Sequence, residues 1–274
     1  MADTAAPSLQ FAMAQNRAKA SAARATVLDG LRRLLPRADD IHSTLPFALP
    51  FGLPVIDSHL PQGGLACGAL HEVVPETAGT LSAAFGFVVA VLSRLPPGRP
   101  LFLVMPAYGQ REHGRLCGHG LNGLGLDPVR VTLVETSHRK ETLWAVAEAL
   151  HSGVPQAVVG MIDRLDLKTS QKLQLAASDT GLPLFLIRPA QTLEASAAST
   201  RWRVGVAEAV RDRFGLIARP RWHLQLERCR NGRPGEWKVE YDHVTHRFSL
   251  AAALADYALS GGAGARPYKQ AGRS

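Results

Sequence analysis

The chain has 274 residues, with 31 Lys+Arg against 23 Asp+Glu, a formal charge of +8, 46% apolar and 20% charged residues. That is ordinary globular composition. No apolar run reaches the roughly 18–20 residues of a membrane span. Met1 to Gln15 lacks the cationic start and long apolar stretch of a secretory signal. Cys67, Cys117 and Cys229 are too few and too scattered for a disulfide framework. The expectation is a cytoplasmic protein with no membrane contact; fibrous, secreted-miniprotein and integral-membrane classes are excluded. The charge is unevenly placed: residues 201–274 hold 14 Lys+Arg against 7 Asp+Glu, whereas the first 200 hold 17 against 16. A basic C-terminal quarter suits a polyanion or an acidic partner, or else is a solvated face that aids solubility.

Residues 1–12 are small and polar and read as disordered. Ala14 to Leu35 places Val27, Leu31 and Leu34 at helical spacing, which predicts a helical arm over 13–36, stopped by Pro36. Pro46, Pro50, Pro54 and Pro61 make 37–62 a linker without regular structure. A core domain is expected over 63–259. It opens on the Gly63-Gly64 turn and a strand at Ala69–Val74, and a buried helix at Leu81–Leu95 follows, ended by Pro96 and Pro97. Leu101–Met105 is a strand covered on both faces. Residues 106–129 are Gly-rich and irregular with a short helix, and Arg130–Val134 is another strand. An amphipathic helix at 139–151 follows from Leu143, Val146, Ala147 and Leu150. Next come a strand at Ala157–Ile162, a helix through Leu173 and Ala177 capped by Thr169 or Ser170, and a strand at Pro183–Ile187. Strands alternating with helices imply a parallel sheet with helices on both faces. Trp222–Glu227 and Trp237–Tyr241 alternate around Asn231-Gly232 and Pro234-Gly235, an antiparallel hairpin. Residues 249–259 read as a short last helix and 260–274 as a flexible basic tail.

The informative stretch is Val74-Pro75-Glu76-Thr77-Ala78-Gly79-Thr80-Leu81, where a strand feeds a loop and the loop feeds an apolar helix. That is the setting of a phosphate-binding P-loop, in which backbone N–H groups and a helix N-terminus cradle the anion. A working loop needs Gly, four residues, then Gly-Lys-Ser/Thr. Gly79 fits, but Val74 stands at the first Gly, Thr80 at the Lys and Leu81 at the metal-holding hydroxyl. The ammonium against the β/γ-phosphates and one magnesium ligand are therefore missing. The strand at 157–162 offers Gly160 where a magnesium-ordering Asp belongs, with Asp163 slightly late. No catalytic residue, bound cofactor or metal is expected.

Taken in order, Gly63-Gly64-Leu65, Gly68, Glu72 and Pro75-Glu76-Thr77-Ala78-Gly79 resemble the P-loop region of the RecA/RadA recombinases. The hairpin Arg230-Asn231-Gly232-Arg233-Pro234-Gly235 is similar to the late hairpin of RecA-like ATPases. With its Lys lost and its C-terminal quarter basic, the chain most resembles the ImuA family, RecA-like accessory proteins of bacterial damage-induced (SOS) mutagenesis, described as related to the division inhibitor SulA. The resemblance covers about residues 50–250. It implies an α/β, RecA-like fold with a mostly parallel sheet and a C-terminal antiparallel hairpin. It also implies a non-catalytic role in error-prone translesion synthesis. The implied partners are an ImuB-type Y-family polymerase homologue, a damage-inducible polymerase α subunit and, further, a RecA filament and ssDNA. Two other readings stay open: a recombinase-class ATPase with an unusual loop, and a SulA-like division inhibitor.

Arg201-Trp202-Arg203, followed by Arg211, Arg213, Arg219 and Arg221, interleaves guanidinium groups with an aromatic. Such a pattern suits phosphate contact and base stacking or a protein interface. Residues 190–204 are the candidate DNA-facing loop. The bland alternative is a packed Trp202 with the arginines solvated or paired to Glu208 and Asp212. His113, Cys117 and His119 cluster, but a structural zinc needs four ligands, and Glu112 or His138 would have to be recruited by folding. Asp163 and Asp166, beside Arg164 and Lys168, read as surface ion pairs.

Overall fold

A computed structural model describes residues 47–107, 114–211, 214 and 217–251. The expected arm at 13–36, the tail at 260–274, and His113 and Arg213 lie outside the described residues. Two short strands, β1 (Ala48–Leu49) and β2 (Leu65–Ala66), pair antiparallel and enclose the one-turn helix α1 (Pro54–Asp57). Gly63 turns with φ +67, and a Cβ on Gly64 would stand 2.6 Å from the Leu49 carbonyl carbon, so this closure needs both glycines.

The main sheet has nine strands: β3 (Leu70–Pro75), β4 (Leu101–Pro106), β5 (Val131–Thr136), β6 (Ala157–Met161), β7 (Leu184–Ile187), β8 (Thr200–Val206), β11 (Arg221–Cys229), β12 (Gly235–Asp242) and β13 (Arg247–Leu250). A separate ribbon joins β9 (Val210–Arg211) and β10 (Ile217–Arg219). The order across the main sheet is β5-β4-β6-β7-β3-β8-β11-β12-β13. From β5 to β8 every pairing is parallel, and from β8 to β13 every pairing is antiparallel. The predicted hairpin is β11–β12.

Helices cover both faces. On one lies α2 (Leu81–Leu92), whose sequence LSAAFGFVVAVL is apolar almost all round and is buried accordingly. The short α3 (Gly118–Gly123) flanks it. On the other lie α4 (Arg139–His151) and α5 (Leu167–Thr180), each packing one apolar stripe on the sheet. The cap of α5 is Asp166, not Thr169 or Ser170: its carboxylate accepts from the Thr169 N–H at 2.8 Å and the Thr169 hydroxyl at 2.7 Å. An ionised carboxylate accepts both bonds with charge assistance, which a hydroxyl lacks.

Three expectations need correction. Leu49, Phe51, Ile56 and Leu60 are buried in the α2-side core, so the folded unit includes residues 47–62 rather than opening at Gly63. The prolines break long elements there without releasing the chain: Pro54 starts α1, and Asp57 accepts from the Phe51 and Leu53 amides. Residues 249–250 close strand β13, where a helix was expected. Residues 200–204, the second part of the predicted DNA loop, lie inside β8, paired on both sides.

The α2-side core is strongly aromatic. Trp202 packs against Phe51 (ring centroids 5.3 Å) and Phe87 (5.8 Å), and Trp222 against Tyr241 (5.6 Å). One polar chain crosses this layer. Trp202 Nε1 donates to Thr200 Oγ1 at 3.1 Å, Thr200 Oγ1 lies 2.8 Å from His71 Nδ1, and His71 Nε2 lies 2.9 Å from the Ala66 carbonyl. An indole N–H only donates and a carbonyl only accepts. The consistent assignment is neutral His71 with its proton on Nε2. Burial pushes His71 down to about 4 from 6.5, against the opposing Ala66 hydrogen bond. In the unfolded chain His71 takes up a proton below pH 6.5 that the folded state refuses. Its contribution to stability is therefore complete above that pH and is lost as pH falls toward 4. Unfolding free energies from urea titrations across pH 4–6.5 are expected to fall by up to about 1.4 kcal/mol per pH unit from this group as pH is lowered. In His71→Gln that component of the slope is absent.

Candidate functional site

The strand–turn–helix unit predicted at the centre of the chain is present: β3, a 3-10 turn at Ala78–Thr80, then α2. The turn lies at the carboxyl end of an interior strand, where open α/β sheets bind ligands. Three of its amides, those of Glu76, Thr77 and Thr80, are bonded within the protein. Glu76 N donates to the Val204 carbonyl at 2.8 Å. Thr77 N donates to Thr80 Oγ1 at 3.0 Å, and that hydroxyl returns to the Thr77 carbonyl at 3.0 Å. Thr80 N also donates to Thr77 O. Thr80, at the lysine position, thus blocks a donor that a phosphate would use, and it supplies no charge. The Glu76 carboxylate lies on the Cα of Gly205, which has no side chain to obstruct it, and sits 3.6 Å from His223 Nδ1. His223 Nε2 is in turn 2.7 Å from Glu236. Glu76 and Glu236 thus flank His223 beside the turn.

Beside the turn is a cavity of about 220 Å³ lined by Leu81, Phe85, Met105, Leu121, Leu124 and Met161, with Arg115 and Cys117 among its other walls. Met105 and Met161 stand at the carboxyl ends of β4 and β6. This corrects the register of the sequence reading. Gly160 faces α4, where a Cβ would meet Val146 Cγ2 at 2.8 Å and Leu186 Cδ2 at 3.0 Å. The strand-end residue beside α2 is Met161. Asp163 is exposed and accepts from the Arg164 amide at 2.7 Å. Met105 and Met161 bring thioether groups to the strand ends beside α2, poor ligands for a hard cation.

Of the arginine set, Arg201, Arg203 and Arg221 lie in the main sheet. Trp202 is fully buried, so stacking on a base is closed to it. Arg201 donates to Glu72 Oε2 at 2.8 Å, and Arg203 Nε donates to Glu227. Arg219 and Arg221 both bond Glu240, at 2.8 and 2.9 Å. Burial raises the Glu240 carboxyl, but those two guanidinium groups outweigh it and hold the group below the ordinary glutamate value. Arg211 lies in β9, apart from the main sheet. Cys117 and His119 are exposed at the start of α3, and His138 is 3.6 Å from Glu141. Among the described residues no three His, Cys, Asp or Glu side chains are grouped to hold a metal.

The feature the sequence reading missed is the cluster around Glu72. This carboxylate is fully buried on the α4/α5 side of β3. Arg188, just past β7, donates to it at 3.3 Å; Ser196 Oγ donates at 2.8 Å; Arg201, on β8, completes the set. Arg228 adds bonds to the Ser196 and Ala198 carbonyls at 2.8 and 2.6 Å. Burial lowers Arg188 from its usual value against the opposing pull of Glu72 and Glu194. The 188–199 connection from β7 to β8, which crosses β3 without a helix, is fastened by this network.

These features define an α/β protein on a mostly parallel sheet, with a strand–turn–helix unit at the carboxyl end of an interior strand. No family model matches the chain. Two curated relatives, each named Protein ImuA, come from Caulobacter vibrioides strains NA1000 / CB15N and ATCC 19089 / CIP 103742 / CB 15. Each is 33% identical over 228 residues, covering 76% of this chain and 91% of the relative. The chain belongs to the ImuA family.

Gly160→Asp, which restores a carboxylate near the expected magnesium position, is expected to cost about 3 kcal/mol or more by forcing a charge against Val146 and Leu186. Urea denaturation measures it. Glu72→Gln leaves Arg188 and Arg201 without their buried counter-charge and is expected to cost about 3–5 kcal/mol. Limited proteolysis should then open new cuts within 189–199 while cleavage elsewhere stays as in the parent.

Proposed function

We propose that the chain is a RecA-like, non-catalytic accessory protein of error-prone translesion synthesis in the DNA-damage (SOS) response. It works in the cytoplasm with an ImuB-type polymerase homologue and a damage-inducible polymerase α subunit. Family membership and the resemblance it carries support the setting. The observation that supports the non-catalytic part is the turn at 76–80: its Glu76, Thr77 and Thr80 amides are bonded within the protein, and Leu81, Met105 and Met161 line the cavity beside it. A turn so occupied offers magnesium triphosphate neither charge nor enough free donors. The protein acts by holding other macromolecules together, and the scaffold is the β3-centred sheet.

Fluorescent-nucleotide titration of the purified chain, with and without Mg²⁺, is expected to show no saturable binding in the micromolar range. Co-purification and crosslinking with the ImuB-type protein is expected to capture a complex. Micromolar nucleotide binding abolished by a Gly79 change would move the chain to the recombinase-class ATPases. Filamentous cells on overexpression, with no polymerase contact, would move it to the SulA-like inhibitors. Truncation after residue 204 is no test of the basic region, because it removes β11, β12 and β13 from the main sheet.

A further inference from the structure

Arg188 follows the carboxyl end of β7, and its side chain is 1% exposed. Its bonding is lopsided. Nη1 donates to Glu72 at 3.3 Å, while Nε and Nη2 are buried without a hydrogen-bond acceptor. Nε–H and Nη2–H point the same way along one edge of the guanidinium plane. That edge is a fork suited to gripping an oxyanion through two parallel bonds. Buried donors left unpaired are costly and rare. β7 is an interior parallel strand, and ligands of open α/β sheets lie outside the carboxyl ends of such strands. Two carboxylates come near the fork and neither takes it. Glu194 Oε2 stands 3.5 Å from Nη2 without a hydrogen bond, on a side chain that is 53% exposed. Asp163 is exposed, accepts from the Arg164 amide and acts on Arg188 only at a distance. The Glu194 backbone is fixed by Arg201, whose Nη2 donates to its carbonyl at 2.6 Å, so its side chain can swing out while the 188–199 connection stays in place.

We propose that the Nε–Nη2 edge of Arg188 binds one small phosphate group, and that Glu194 is the chain's own competitor for that edge. The local charge supports a phosphate. With Glu194 turned to solvent, Arg188, Arg201 and Arg228 gather around one buried carboxylate, Glu72. Three guanidinium groups against one carboxylate leave two positive charges uncompensated, which a phosphate near its dianionic form balances. At the exposed margin Asp163 and Arg230 carry opposite charges. A carboxylate ligand offers only the single charge that Glu194 already supplies. Burial decides against a nucleic-acid backbone. A diester phosphate carries a chain on each side, whereas this edge lies beneath the 189–195 segment and is uncovered by the departure of one side-chain carboxylate. None of these residues belongs to the 76–80 turn, so the site is separate from the one on which the non-catalytic reading rests.

The test follows inorganic phosphate by phosphorus NMR as the full chain, purified without phosphate, is added at constant ionic strength. Saturable line-broadening is expected. Glu194→Gln removes the competing charge and should tighten binding about threefold or more. Arg188→Lys keeps a positive charge beside Glu72 but has no fork, and should weaken binding about tenfold or more. Arg247→Gln, at an exposed arginine of β13, should leave it unchanged. Far-UV circular dichroism checks that each variant is folded. If Arg188→Lys does not fold, the Glu194→Gln result still decides, because a merely structural Glu194 predicts lost stability and no gain in phosphate binding. Acetate at the same ionic strength should displace little phosphate. No broadening by either the parent or Glu194→Gln overturns the proposal, and so does a Glu194→Gln affinity equal to or below the parent's. Acetate displacing phosphate at equal concentration overturns it in favour of a carboxylate ligand. Displacement by an oligo-dT of about 30 nucleotides, at matched phosphate concentration, overturns it in favour of a nucleic-acid backbone.

Discussion

The fold hangs on the seam between β3 and β8, where the parallel part of the sheet meets the antiparallel part. Two adjacent residues of β3, His71 and Glu72, point to opposite faces and both bond to β8 or its approach. His71 joins Thr200 and, through it, Trp202 in the aromatic layer. Glu72 joins Arg188, Ser196 and Arg201 on the other face. Two buried polar groups at the centre of a sheet are costly unless satisfied. Here each is satisfied by partners distant in sequence, which fixes the register of β8 against β3. A shift by one residue would turn Trp202 out of the core and bring Arg201 into it.

That seam also explains how the chain dispenses with a helix between β7 and β8. A parallel crossover normally covers the sheet with a helix, whose internal hydrogen bonds satisfy its own backbone. Residues 188–199 have no such ladder. Charged side chains take its place: Glu72 holds both ends and the middle, and Arg228 accepts the task of satisfying the Ser196 and Ala198 carbonyls. The network is not ideal. Arg188 Nε and Nη2 are buried without hydrogen-bond partners, and Nη2 has only the Glu194 carboxylate at 3.5 Å. Such an arrangement is weak evidence of stability but specific about geometry, since each charge has few alternative partners in the interior.

Much of the parallel sheet was legible because its strands are apolar runs and its helices show one apolar stripe, patterns set by burial on two faces and on one. Residues 47–62 were not legible: prolines signal interruption, and nothing local reveals that Phe51 and Ile56 are core. The 190–204 stretch failed for a related reason. Trp202 between two arginines looks like a surface motif when read linearly. In a strand, alternation sends Trp202 to one face and Arg201 and Arg203 to the other. Period two, applied to Thr200–Val206, would have found it. Glu72 carried a signal, a carboxylate within the apolar strand Leu70–Val74, but its partners lie more than a hundred residues away. Gly160 was misassigned because side-chain direction at a strand end depends on register, which sequence alone did not fix.

The basic C-terminal quarter takes on a different meaning in three dimensions. Arg201, Arg203, Arg219 and Arg221 face carboxylates at Glu72, Glu227 and Glu240, and Arg228 faces backbone carbonyls. Arg201, Arg203, Arg221 and Arg228 use their charges within β8 and β11, and Arg219 reaches Glu240 from the β9–β10 ribbon. Among the described residues of that part, Arg230, Arg233, Lys238 and Arg247 are exposed without a carboxylate partner, and Arg219 is half-exposed on Glu240. Net charge counted along a sequence therefore overstates what a polyanion would meet here. Availability follows from which acids are already committed, and only the folded pairing decides that.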